Sequence, residues 1–198
     1  MKTSEKFECV RSALPDVVFI NIRRFEDERG YLTVPYHRAE FEEIGIPTHF
    51  EQDIHSCSNR GVIRGLHFQG QPPMGKLMRV TRGAAYLVAV DIRKYSPTVG
   101  KWVGAVFDAE IDGYMMWAPG GFARGFLALT DNTEVQYKCT SLQNPATEVS
   151  IRYDDSDIGI DWDTWLAKGE PILSEKDKNA ISLSSWLNSK EAENVHGV

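Results

Sequence analysis

Between Val17 and Tyr153 the chain is a succession of short runs rich in Val, Ile, Phe, Tyr and Thr, each closed by Gly, Pro, Asn or Asp. "DVVFINI", "GYLTVPY", "FEQDIHS", "GVIRGLHF", "KLMRVTRG", "AAYLVAVDI", "KWVGAVF", "GYMMWAP", "GFARGFLAL" and "EVQYKCTS" follow one another with little helical patterning between them. Runs of this length and spacing pair as strands and close into an all-β sandwich or barrel. A doubly wound fold is excluded, because it needs helices alternating with strands. One short helix is predicted in "HRAEFEEIG", from the apolar spacing of Ala39, Phe41 and Ile44 and the stop at Gly45. A single domain over residues 1–198 is expected, with its core at about 15–180 and a polar C-terminal tail whose last ten residues should be mobile.

Several function classes fall away on charge and patterning. The net charge is -6, and the Lys and Arg residues are scattered, so no footprint for nucleic acid is expected. No stretch approaches the roughly 20 apolar residues that span a bilayer, and "MKTSEKFECV" lacks the apolar run of a signal peptide. Cys9, Cys57 and Cys139 are irregularly spaced with no C-x-x-C pair, which fits a reduced, cytoplasmic setting. The histidines His37, His49, His55, His67 and His196 form no H-x-H or H-E-x-x-H, so no metal is expected. No G-x-G-x-x-G follows a strand, and no nicotinamide is implied. "GQPPMGK" begins like a phosphate loop, but Leu77 stands where a Ser or Thr should hold magnesium, and the segment continues as a strand instead of a helix. It reads as a Pro-rich turn.

Chemistry concentrates in "VIRGLHFQGQPPMGK", where Arg64, His67 and Lys76 share one hairpin. A lone strand histidine is more often structural than catalytic. Two cations beside it change the balance, because bringing them toward a barrel interior is costly unless an anion meets them. Strict alternation would put Arg64 and His67 on opposite faces, so both reach one cavity only if Gly65 bulges the strand. On "EVQYKCTS", alternation points Tyr137 inward with Val135 and Cys139. On "GFARGFLAL" it aligns Arg124 with Phe122, Phe126 and Ala128, and an inward arginine again asks for an anion. His accepts a proton near neutrality, a carboxylate behind it fixes the tautomer, and Tyr is protonated and able to donate. A cationic Lys76 beside a ketone would stabilise an enolate.

"DERG", "QD", "VIRGLHFQ", "GKLMRV", "VAVDIRKYSPTVGKWVG", "GFARGFLALTD", "YKCT", "DDSDIGIDW" and "LSEKD" occur in an order that resembles the dTDP-4-dehydrorhamnose 3,5-epimerases over about residues 15 to 180. The resemblance implies an all-β double-stranded β-helix jelly roll of the cupin type with a few short helices, without metal or cofactor and forming a homodimer. It implies action on a nucleotide-diphosphate 4-keto-6-deoxysugar, by proton abstraction, enolate formation and reprotonation from the opposite face. His67 then matches the general base and Asp177 its orienting carboxylate; Lys76 matches the enolate stabiliser and Tyr137 the returning acid. Arg29, Gln52, Arg64 and Lys176 match substrate-binding positions, and Arg124 adds a cation to them.

Four positions depart from that pattern. Arg124 stands where the family usually has His, Gln143 where an aromatic stacks on thymine, Val34 where an acid is usual, and Ile54 where Asn is. The positions of the proton machinery are kept, so these departures imply a changed substrate. The alternatives are inversion at C3 only or C5 only, a CDP- or GDP-linked sugar, a keto-isomerase, or a sugar-nucleotide binder without catalysis.

Overall fold

Each of the ten apolar runs forms a strand in the computed structural model, which describes residues 3–111, 113–166 and 169–195. In chain order the strands are β1 (Phe7–Arg11), β2 (Val18–Ile22), β3 (Arg24–Asp27), β4 (Gly30–Thr33), β5 (Gln52–Ser58), β6 (Ile63–Gln69), β7 (Lys76–Arg82), β8 (Ala84–Asp91), β9 (Trp102–Asp108), β10 (Tyr114–Ala118), β11 (Phe122–Ala128), β12 (Thr133–Cys139) and β13 (Glu148–Ser150). The helices are α1 (Arg38–Ile44), α2 (Glu175–Lys178) and α3 (Leu183–Leu187), followed by a 3-10 turn at Glu191–Asn194. A six-stranded sheet runs β1-β2-β10-β7-β12-β5 and a five-stranded sheet runs β13-β6-β11-β8-β9, with β3 and β4 as a separate hairpin. These sheets form the jelly roll that the resemblance implied. No helix among the described residues is long and apolar enough to cross a membrane.

Alternation along the strands sorts the side chains into three apolar layers. Met78 and Val80 of β7, Leu87 and Ala89 of β8, Phe122 and Phe126 of β11, and Val135 of β12 meet between the sheets. On β8 the intervening Tyr86, Val88 and Val90 face outward, against Trp162, Leu183 and Trp186. A strand buried on both faces reads as an unbroken apolar run, which is what "AAYLVAVDI" is. Phe41 and Ile44 of α1 cover the outer face of the six-stranded sheet at Phe7, Ile20 and Trp117.

Two expectations change. In α1, Ala39 is exposed and Glu40 is buried, because the Glu40 carboxylate binds the Lys6 ammonium at 2.6 Å. The C-terminal tail is packed through residue 195: Ala192 and Val195 are 1% and 4% exposed within the outer layer. Residues 196–198 lie outside the described residues. The tail reads as polar because only its inward residues, spaced to fill that layer, are apolar.

Candidate active site

At one end of the space between the sheets the apolar filling stops, and a cavity of ≈ 490 Å³ remains, lined by residues of both sheets. The five-stranded sheet contributes Arg64, His67 and Arg124; the six-stranded sheet contributes Lys76, Met78 and Tyr137.

The predicted bulge exists. In the β6–β11 ladder Arg124 pairs with His67 and Phe126 with Arg64, so three steps on β6 oppose two on β11. Gly65 absorbs the extra residue at φ 132°, a conformation that L side chains rarely adopt, and its Cα faces Gly125 so closely that an added Cβ would lie 2.6 Å from the Gly125 Cα. Ile63, Leu66 and Phe68 consequently face the outer apolar layer, while Arg64 and His67 both face the cavity.

His67 Nε2 lies 2.5 Å from Asp177 Oδ1. Asp177 is brought there from 110 residues away by α2, where the Ser174 hydroxyl caps the helix and also donates to Asp177 Oδ2 at 2.9 Å. Burial alone would raise the Asp177 carboxyl, but the hydrogen bonds from His67 and Ser174 outweigh it and hold the group below its ordinary range. A carboxylate on Nε2 fixes that nitrogen as the N–H and leaves the lone pair on Nδ1. The pair is therefore arranged as a base with its orienter.

Tyr137 stands on the facing sheet, next to Ser56 of β5, and burial raises its phenol well above the usual range, only partly opposed by the Ser56 hydroxyl and Arg64. It stays protonated at neutral pH. Lys76 Nζ lies 5.6 Å from the centre of the Tyr137 ring. Burial, and after it the Arg124 cation, lowers the Lys76 ammonium from 10.5 to about 8.

The other predicted ligands divide. Arg64 lines the cavity and is steadied by the Ser58 hydroxyl at 2.9 Å and the Cys57 carbonyl at 3.2 Å. Arg124 lines it too, but its two terminal nitrogens already donate to the carbonyls of Pro119 and Met74. Backbone carbonyls thus meet much of the charge that the sequence reading left to an anion. Gln52 is not among the residues lining the cavity; its Oε1 accepts at 2.9 Å from the backbone of Gln143, which is. Lys176 is not among the lining residues either; it pairs at 2.8 Å with Glu148, which is. Arg29 is exposed at the β3–β4 turn, paired with Asp27, and is not among the residues lining the cavity. Ile54 and Gln143 line the cavity and Val34 does not.

Glu148, Ser56 and Ser174 escaped the sequence reading. Glu148 lies on the three-residue β13 and reaches the site only because β13 pairs with β6, Glu148 opposite Gln69. Burial would raise its carboxyl, but Lys176 outweighs burial and keeps it low and charged. Among the described residues, no three His, Cys, Asp or Glu converge in a way that could hold a metal.

The family model described as dTDP-4-dehydrorhamnose 3,5-epimerase matches residues 11–185. An enzyme of that description from Methanothermobacter thermautotrophicus is 45% identical over 174 residues, which are 88% of this chain and 93% of that protein. The crystal structure of a dTDP-6-deoxy-D-glucose-3,5-epimerase from Legionella pneumophila, in complex with dTDP-4-keto-L-rhamnose, matches with a TM-score of 0.89 at 36% identity, covering 97% of this chain and 100% of that one. A 3'-monoepimerase from Streptomyces bikiniensis, in complex with dTDP-quinovose, matches with a TM-score of 0.81 at 32% identity, covering 88% and 87%. On a fold shared over nearly its whole length, and a sequence match of this extent, the chain belongs to the dTDP-4-dehydrorhamnose 3,5-epimerase family and is a nucleotide-sugar epimerase of the isomerase class.

Proposed function

We propose that the chain inverts C3, C5 or both in a dTDP-linked 4-keto-6-deoxyhexose without a metal or cofactor. The observation that carries this is the pair of proton-transfer groups on opposite sheets: the His67–Asp177 pair on one wall and Tyr137 on the other, facing one cavity. His67 takes the proton from a carbon beside the ketone. The electron pair moves onto the ketone oxygen, where Lys76 stabilises it. Tyr137 then gives its proton to the opposite face of the same carbon, the carbonyl reforms, and the tyrosinate and imidazolium return to their starting states through solvent. Arg64 and Lys176 bind the diphosphate and sugar, and Gln52 supports the rim through Gln143. The dTDP group is supported by the names of the relatives, among them those bound to dTDP-sugars.

Inversion at a single carbon is the second reading. It is favoured by the likeness to a 3'-monoepimerase and by the rigid, buried Arg124 in the cavity wall. A homodimer in the cytoplasm completes the proposal. Tyr31 and Leu32 on the β3–β4 hairpin are 54% and 64% exposed, a surface that a second copy would cover, and none of Cys9, Cys57 and Cys139 is in a disulfide. Arg29 shares that hairpin, so its contact with substrate requires the hairpin to lie over a cavity. Mass measurement by light scattering tests the dimer, and a monomer overturns it.

The reaction is tested by incubating the protein with dTDP- and CDP-linked 4-keto-6-deoxyglucose in heavy water and locating deuterium by NMR. Label at C3 and C5 is expected for the double epimerase and label at one carbon for the narrower enzyme. No label with either nucleotide overturns the catalytic reading.

A further inference from the structure

Arg124 is 3% exposed, yet its side chain bridges the two sheets. It rises from β11 of the five-stranded sheet, and its terminal nitrogens reach the Met74 carbonyl at 2.8 Å and the Pro119 carbonyl at 2.9 Å. Those carbonyls flank one point. Met74 lies two residues before Lys76, Pro119 lies one residue after Ala118, and Lys76 and Ala118 are partners in the β7–β10 ladder. The two turns also touch directly: a Cβ added to Gly120 would come within 2.8 Å of Pro73. Arg124 therefore ties together the two turns from which Lys76 enters the cavity. Its Nε is buried without a hydrogen-bond partner, an unmade bond that a group present for stability alone would not be expected to carry.

We propose that Arg124 is a positioning residue for Lys76: its fork ties together the two turns from which Lys76 enters the cavity. This rests on the catalytic reading above only for its effect on rate. The groups around Lys76 support it. Arg124 on β11 and Lys176 on α2 oppose its charge; Cys139 on β12 and Glu148 on β13 favour it; Tyr137 lies beside it, and Arg64, His67 and Asp177 share the cavity. After burial itself, Arg124 has the largest influence on the amine. An enzyme that needs Lys76 charged should then lose activity above about pH 8.

The test is the pH dependence of Lys76 acetylation by substoichiometric acetic anhydride, read by peptide mass spectrometry on substrate-free protein, alongside the pH profile of kcat/KM. In the native protein both midpoints are expected near 8. Arg124→Gln removes the cation, and both should move up by about one pH unit. Arg124→Lys keeps a cation but cannot span two carbonyls, so the acetylation midpoint should stay near the native one while kcat falls about tenfold or more. An acetylation midpoint unchanged in Arg124→Gln, or a kcat unchanged in Arg124→Lys, overturns the proposal. Acetylation needs no turnover, so it reports on Arg124 even if the sugar chemistry proves different, and Arg124→Lys, which keeps a cation in place, tests the proposal if the Gln variant does not fold.

Discussion

At the scale of single residues, the proton donor and acceptor are distinguished by their surroundings more than by their chemistry. Burial keeps Tyr137 a phenol, and a charged carboxylate keeps His67 in one tautomer. Tyr137→Phe should therefore leave proton removal intact: substrate recovered from heavy water still gains deuterium, while product formation falls about 100-fold or more. Asp177→Asn should slow both by a similar factor. It also has a stability signature. The folded protein holds Asp177 below its ordinary range, so it binds fewer protons than the unfolded chain as the pH falls through about 4. Its contribution is present above that range and lost as pH drops through the folded-state value. Melting temperatures measured from pH 6 to pH 3 should fall less steeply in Asp177→Asn than in the native protein.

At the scale of elements, β6 shows how one glycine converts a sheet strand into a wall of the site. Without the bulge, alternation from Leu66 and Phe68 would carry Arg64 into the outer apolar layer with them. Gly65→Ala combines a disfavoured φ of 132° with a 2.6 Å clash against Gly125, and should cost about 3 kcal/mol in urea unfolding and abolish activity. Gly45 is a useful contrast, because it ends α1 at φ 80° far from the cavity wall. Gly45→Ala should cost about 1 kcal/mol and leave kcat unchanged. Equal losses of activity in the two variants would argue against a specific role for the bulge.

At the scale of the whole molecule, α3 and the tail pack on the five-stranded sheet from outside, and that packing keeps α2, with Asp177, behind His67. Trp186 is 2% exposed, meets the Phe68 ring at 4.6 Å between centroids, and donates its indole N–H to the Ile92 carbonyl at 2.9 Å. Trp186→Ala should destabilise the fold by about 3–5 kcal/mol, measured by thermal or urea unfolding, without removing any cavity residue. The sequence by itself determined ten of the thirteen described strands, because side chains alternate with a period of two and turn residues interrupt them; the short β1, β3 and β13 it did not mark. It also determined which way Tyr137, Arg124 and Phe126 point, and that Gly65 must bulge if Arg64 and His67 are to share a face. It could not determine that Glu148 joins the site, that backbone carbonyls bind Arg124, or that the tail is anchored through Val195. Those outcomes depend on which strands become neighbours and which turns meet across the barrel, and contacts between residues tens of positions apart follow from closing the sheets, not from any local pattern.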